Sequence, residues 1–341
     1  MRLLSIFNNT PMASNPQFPP ALIIPPLKPP HKQTIILLHG RGSSAAHFGP
    51  ELLNMQFPPP PSNHPNPTPD QGATTPTATN LQTTVPHARF IFPTASRRRA
   101  TIYKRSIINQ WFDNWHVEQL VGDIDEDDQD GEAVYARSQD WLMIEGLQQT
   151  TEYLHDLLRR EIELVPGGAR NVVLGGISQG CAASLVAILL WEGEPLGALV
   201  GMCGWLPFVH SLQYRDEAAE NDGSFDPFER DDAAVREAEA RVETDVGAAT
   251  VKELRERLEL DKGGPDAGSR PVTLSTPVYL GHGVEDDRVP LRLGQISAEF
   301  LEAVGFNISI HTYPQLGHWY SASMLGDIAG FLKTSIDYDS S

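Results

Sequence analysis

The sequence predicts an α/β fold: a mostly parallel central sheet with helices on both faces, interrupted by Pro-rich and acidic insertions. Three observations carry this. Short apolar stretches alternate with longer helical ones through the second half of the chain, the order of strands joined by crossover helices. Thr34-Ile35-Ile36-Leu37-Leu38 and Ala198-Leu199-Val200-Gly201-Met202 are apolar without a two-residue alternation, as expected of strands covered on both faces. Gly176-Ile177-Ser178-Gln179-Gly180 joins one such strand directly to an apolar helix. With 341 residues and 40% hydrophobic content, the chain is long enough to bury the core of one such domain.

Along the chain, residues 1–32 are rich in Pro and Asn and read as a flexible N-terminal arm. Residues 33–335 read as a single domain and 336–341 as a tail. Strand Gln33–Leu38 is followed by His39-Gly40-Arg41-Gly42-Ser43-Ser44, where Ser43 or Ser44 is placed to cap a helix running to about Asn54. Residues 57–87 contain Pro58-Pro59-Pro60-Pro61 and little that is apolar, so a loosely packed insertion is expected. Ala88–Pro93 is a strand. Trp111-Phe112-Asp113-Asn114-Trp115 is an aromatic loop, and an acidic insertion follows at 119–134. The spacing of Asp123, Asp125, Glu126, Asp127, Asp128, Asp130 and Glu132 fits no calcium loop, so that run reads as a solvated linker.

Trp141, Ile144, Leu147, Leu154, Leu157 and Leu158 recur at helical spacing and predict a helix over about Ser138–Glu163. Strand 171–175, the Gly-Ile-Ser-Gln-Gly turn, helix 181–190 and strand 197–202 come next. A charged insertion then spans 210–270, with an amphipathic helix marked by Val251, Leu254 and Leu258. Strand 277–281, helix 291–304, strand 307–311 and a helix to about Lys333 complete the chain.

A Gly-x-Ser-x-Gly between strand and helix has the form of a nucleophile elbow, with the serine exposed at the sheet edge above a helix N-terminus. Gly175 and Gly180 have phosphate-loop spacing, but Cys181-Ala182 stands where Lys-Ser/Thr is required. A serine nucleophile needs a base, and the base needs an acid to orient it. In chain order these follow the elbow in loops after later strands. One loop offers Glu285, Asp286 and Asp287; the next offers His318, the candidate base. His311 lies within a strand, where packing or exposure is its expected role, and His39 and His282 precede glycines at strand ends, where turn packing is expected. No His-Glu-x-x-His or zinc-spaced cluster occurs, so no metal and no cofactor is expected.

The net charge of −18 disfavours nucleic acid as a partner. Arg97-Arg98-Arg99, with Lys104 and Arg105, is a basic cluster expected in a solvated loop. Cys181 and Cys203 read as small buried hydrophobes in a reducing compartment rather than as a disulfide. No apolar run is long enough to cross a bilayer. Leu3–Phe7 is too short for a signal peptide and Arg2 excludes N-myristoylation, so a cytoplasmic protein is expected.

Leu38-His39-Gly40-Arg41-Gly42, Trp111-Phe112-Asp113, Gly176–Gly180, Trp205-Leu206-Pro207, Gly281-His282-Gly283 through Val289-Pro290, and Gly317-His318 occur in one order. Together they resemble the acyl-protein thioesterase/carboxylesterase family of α/β-hydrolases. The resemblance covers about 33–56, 88–118, 135–209 and 272–335. It implies Ser178 as nucleophile, His318 as general base and acid, and Asp286 as the acid, the last by counting back from Val289-Pro290. Val284 replaces the family's first Asp of that loop. The amides of Arg41 and Gln179 would form the oxyanion hole, the positions that the elbow chemistry also requires. Arg41 departs from the small or apolar residue usual there. Trp111, Phe112, Trp205 and Leu206 would line the acyl site.

The implied activity is hydrolysis of acyl thioesters or esters, with an S-acylated protein preferred and small esters or lysophospholipids as alternatives. Transient contact with a membrane surface is compatible with this, and oligomeric state is left open. A non-catalytic binding protein that uses the 210–270 insertion as its interaction surface is the rival, and the complete Ser, Asp, His set counts against it. By chain position, the 210–270 insertion is expected either as a lid over the acyl entrance or as a solvated decoration.

Overall fold

Runs that are apolar on both faces can bury themselves only in the middle of a sheet. The computed structural model describes residues 18–58, 79–117, 140–212, 247–260 and 272–336. Its strands are β1 (Leu22–Ile24), β2 (Gln33–Leu38), β3 (Ala88–Phe92), β4 (Arg97–Ala100), β5 (Ser106–Asn109), β6 (Val172–Ile177), β7 (Ala198–Met202), β8 (Val278–Gly283) and β9 (Ile308–Tyr313). Its α-helices include α1 (Ala45–Asn54), α2 (Leu81–Thr84), α3 (Trp141–Leu164), α4 (Gln179–Leu189), α5 (247–257), α6 (Leu291–Val304) and α7 (Ala322–Ser335).

Among the described residues a seven-stranded sheet runs in the order β1-β3-β2-β6-β7-β8-β9. Every pairing is parallel except that of β1 with β3. β2, β6, β7 and β8 are buried along their whole length. Their side chains alternate between two cores. Ile36, Leu38, Leu174, Leu199 and Leu280 face α3, α4 and α6, whereas Ile35, Leu37, Val173, Val200 and Tyr279 face α1 and α7. Parallel order sends the C-terminal ends of β2, β6, β8 and β9 to one edge, where ligands bind in open sheets of this kind.

Several sequence expectations are corrected by this architecture. The 1–32 segment is no arm over its described part, because Leu22–Ile24 pairs antiparallel with Phe90–Phe92 and extends the sheet. Within 57–87, the described ends are packed rather than loose: Phe57 bridges Thr79, and Phe57, Leu81 and Val85 are buried. Arg97–Arg99 belongs to a β4–β5 hairpin rather than a loop, with Arg97 opposite Asn109 and Ala100 opposite Ser106. Trp141, expected on the apolar face of α3, is 67% exposed; the buried face begins at Met143. Ser44 is the N-cap residue of α1 but makes no side-chain cap, and Thr94 Oγ1 accepts from the Ala45 amide instead, at 3.1 Å. The acidic run 123–132 lies outside the described residues.

The amphipathic helix expected within 210–270 is α5. Leu254 and Leu258 are fully buried against the α3–α4–α6 core. Arg255 pairs with Glu192 and donates to the Leu190 carbonyl at 3.3 Å. Arg257 pairs with Asp140 at 2.9 Å, donates to Ser211 Oγ at 2.7 Å and lies over the Phe208 ring. These contacts make α5 part of the core, so Leu254→Ala should cost about 2–5 kcal/mol. Urea unfolding measures this, and a loss below about 1 kcal/mol would mean that α5 is only loosely attached.

Candidate active site

Ser178 stands between the last residue of β6 and the first of α4, in a backbone conformation that L side chains rarely adopt, φ 57° and ψ −124°. Such a conformation costs about 1–3 kcal/mol and persists only where the surroundings enforce it. Two glycines enforce it here by close approach. A Cβ on Gly180 would lie 2.5 Å from the Leu38 carbonyl oxygen, and one on Gly176 would lie 2.7 Å from the Gly180 carbonyl carbon. The Ser178 amide donates to Met202 O at 2.8 Å. The hydroxyl is thereby turned out of the sheet edge.

His318 lies in the loop after β9, and its Nε2 is 2.8 Å from Ser178 Oγ. Its Nδ1 is 2.7 and 2.9 Å from the two carboxylate oxygens of Asp286. A carboxylate only accepts, so Nδ1 carries the proton and Nε2 of the neutral ring accepts from the serine hydroxyl. The three residues named from the sequence therefore form one hydrogen-bonded chain. Of the three acids in the β8–α6 loop, Glu285 and Asp287 are exposed, whereas Asp286 is buried.

Asp286 is the most heavily bonded group of the site. Its Oδ1 also accepts from the amides of Arg288 and Val289, at 3.0 and 2.9 Å. His282, expected only to pack a turn, approaches Oδ2 with Nε2 at 3.3 Å and donates the same N–H to Val289 O at 2.8 Å. Burial alone would raise the Asp286 pKa; hydrogen bonds from His282, His318 and the Val289 amide outweigh it and hold the carboxyl well below its ordinary range. The one signal for His282 in the sequence was its place at the C-terminal end of β8, the edge that also supplies Asp286.

The β2–α1 loop is braced from beneath. His39 is buried, which pushes its pKa down to about 4, and a bond to the Gly40 carbonyl opposes this only partly. The neutral ring donates from Nδ1 to Gly40 O at 2.7 Å and accepts at Nε2 from the Ala95 amide at 3.0 Å. Trp111 Nε1 donates to His39 O at 2.8 Å. Gln179 spans the gap: its Oε1 accepts from the Trp111 amide at 3.0 Å and its Nε2 donates to Phe112 O at 2.7 Å. Asp113 holds the hairpin turn, its Oδ1 accepting from the Thr101 amide at 2.9 Å and its Oδ2 from the Thr101 hydroxyl. Gln179 opens α4, so its amide has no partner within that helix.

A cleft of about 830 Å³ opens at Ser178, bordered by Arg41, Gln179 and His318. Its apolar lining includes Ile102, Tyr103, Trp115, Val117, Trp205 and Trp319. Trp205 is where the sequence reading put it. Trp111 and Phe112 are not: both are fully buried and lie beneath the loop rather than along the cleft. Leu206 is likewise core, its amide bonded to Ser297 Oγ at 2.7 Å. The aromatic surfaces come instead from Trp115, three residues beyond Phe112, and from the hairpin turn, which sequence reasoning did not find. Among the described residues of the 210–270 insertion, 210–212 and 247–260, none lines the cleft.

A family model described as phospholipase/carboxylesterase matches residues 69–221 and 267–336. The chain belongs to that family. As a member of it, the chain is an α/β-hydrolase, and similar proteins agree with this. Acyl-protein thioesterase 1 of Gibberella zeae is 24% identical over 318 residues, covering 93% of this chain and 96% of the relative. Carboxylesterase SOBER1 of Arabidopsis thaliana is 22% identical over 258 residues, covering 75% and 80%. The crystal structure of Zea mays acyl-protein thioesterase 2 has the same fold, with TM-score 0.54 at 21% identity, covering 93% of this chain and 98% of that one.

The depressed Asp286 value fixes the sign of a pH effect. The unfolded chain takes up the proton first, so the carboxylate's stabilisation is complete above the ordinary carboxylate range and is lost from about pH 4 downward. Urea unfolding of the wild type and of Asp286→Asn from pH 7 to pH 3 should show the wild type's advantage shrinking over that range. A pH-independent difference would contradict this.

Proposed function

We propose that this phospholipase/carboxylesterase family member cleaves acyl thioester and ester bonds through Ser178, His318 and Asp286, and that its preferred substrate is an S-acylated protein. The observation that carries the reading is the hydrogen-bonded chain from Asp286 through His318 to Ser178 at 2.7 and 2.8 Å, opening into a largely apolar cleft. The thioester preference is supported by the acyl-protein thioesterase 1 relatives that align over nearly the whole chain.

In this mechanism His318 Nε2 withdraws the hydroxyl proton as Ser178 Oγ attacks the acyl carbonyl. The Arg41 and Gln179 amides hold the tetrahedral oxyanion, aided by the N-terminus of α4. His318 returns the proton to the leaving thiol or alcohol, and the acyl group remains on serine. Water, deprotonated by the same nitrogen, then attacks the acyl carbon, and His318 returns that proton to Ser178 Oγ as the carboxylic acid leaves. Asp286 keeps the imidazole in the required tautomer and stabilises the imidazolium. Cys181 and Cys203 do not compete as nucleophiles, because burial pushes both thiols up to about 12. Two buried free thiols also suit a reducing, cytoplasmic setting.

Ser178→Ala should lower p-nitrophenyl ester turnover by at least about 10⁴-fold and abolish fluorophosphonate labelling. Residual labelling would remove Ser178 from its role. Comparison of a palmitoyl-cysteine peptide, lysophosphatidylcholine and short esters tests the substrate class: kcat/KM should be highest for the peptide, and a preference for lysophosphatidylcholine would overturn that part of the reading.

A further inference from the structure

The side chains of the two residues proposed to supply the oxyanion amides converge on a single atom. Arg41 Nη2 and Gln179 Nε2 both donate to Asn114 Oδ1, the latter at 3.0 Å. Asn114 is 4% exposed, and its own Nδ2 donates to Trp115 O at 2.8 Å. We infer that Asn114 is a positioning residue for the oxyanion pocket, setting the distance between the Arg41 and Gln179 amides. The inference rests on the serine-hydrolase reading above.

The two donors arrive from unlike elements. Gln179 begins a helix packed on all sides, with the whole of α4 buried. Arg41 lies in a loop between two glycines, and Gly42 has φ 80° with open space around it. That backbone has wide conformational freedom, which a precise anion site cannot tolerate. Bonds from below locate the loop's ends: Trp111 Nε1 holds His39, and Gly42 donates to Asn109 O at 2.8 Å. Asn114 adds a brace between these points, to the donor residue itself. An acceptor shared with a guanidinium forms a charge-assisted bond, stronger than a neutral one. A small or apolar side chain at position 41 could not make this bond, so the brace depends on the guanidinium. Asn114 touches no reacting atom; its effect is transmitted through the amides it aligns.

Removing an oxyanion donor costs about 10²–10³ in kcat, and an error of about 1 Å in placement costs about 10²-fold. Loss of the brace displaces a donor without deleting it. Asn114→Leu, which removes the acceptor at similar volume, should therefore lower kcat on p-nitrophenyl butyrate by about 10–100-fold, with KM within about threefold. The hemiketal oxygen of a trifluoromethyl ketone occupies the same pocket, so its inhibition should weaken by the same factor. Asn114→Asp keeps the acceptor and should recover both quantities to within about fivefold. Arg41→Leu cuts the tether from a half-buried loop, keeps the protein folded if Asn114→Leu does not, and should reproduce the kcat loss. Combined, the two changes should be no worse than either alone.

Undiminished kcat in Asn114→Leu or Arg41→Leu would overturn the inference. So would an Asn114→Asp as impaired as the leucine variant, or a kcat loss without the matching loss of ketone affinity. A wild type that neither hydrolyses esters nor labels at Ser178 would instead defeat the serine-hydrolase reading.

Discussion

The site hangs on the forced turn at Ser178. A serine held at φ 57° between a fully buried strand and a fully buried helix has no cheaper place to go, because Gly176 and Gly180 let three backbone segments touch. The segment that Gly180 meets is the end of β2, at Leu38 O and His39 O. The nucleophile and the loop carrying Arg41 are thus packed backbone against backbone, with no side chain between them to relax. Burial of β6 and α4 supplies the stabilisation that outweighs the local strain, which is why the strain can survive at the point of chemistry.

Around that turn each polar group has a defined hydrogen-bond role. His39 is neutral and spent on two backbone bonds; His318 offers Nε2 because its Nδ1–H donates to Asp286; His282 spends its N–H on Asp286 and Val289 O. Asp286 is ionised because four separate donors face it, and a buried carboxylate without them would take up a proton. The 111–115 segment does the mechanical counterpart of this work. Its successive residues reach the His39 carbonyl, the Gln179 carboxamide, the Thr101 hairpin turn, the Arg41 guanidinium and the cleft wall.

Much of this was legible in the residues. Continuous apolar runs marked the inner strands because burial on both faces leaves no polar positions, and the glycines of the 176–180 turn signalled close approach whatever lay opposite. Chain order then brought Ser178, His318 and the acids of the 285–287 loop to one edge, and the family resemblance singled out Asp286 among them. What escaped had physical causes. Leu22–Ile24 is three residues long among prolines, too short for a pattern, and gains its pairing only from Phe90–Phe92. The hairpin at 97–109 carries arginines on an exposed strand, where charge masks the signal. Trp111 and Phe112 follow a strand toward the correct edge, but sequence does not reveal which way an irregular loop turns its rings; the need to support the β2–α1 loop turned them inward. His282 looked like a turn residue because its partner lies across a bend, and no periodicity records that.

The central claim is that Ser178 carries the acyl group between the two halves of the reaction. Mixing the protein with a short acyl thioester, quenching in acid within the first turnover and mapping the adduct by mass spectrometry tests it most directly. The account predicts an acyl ester on Ser178, absent from His318→Ala at the same time point. Turnover with no such ester, or with the acyl group on another residue, would contradict it.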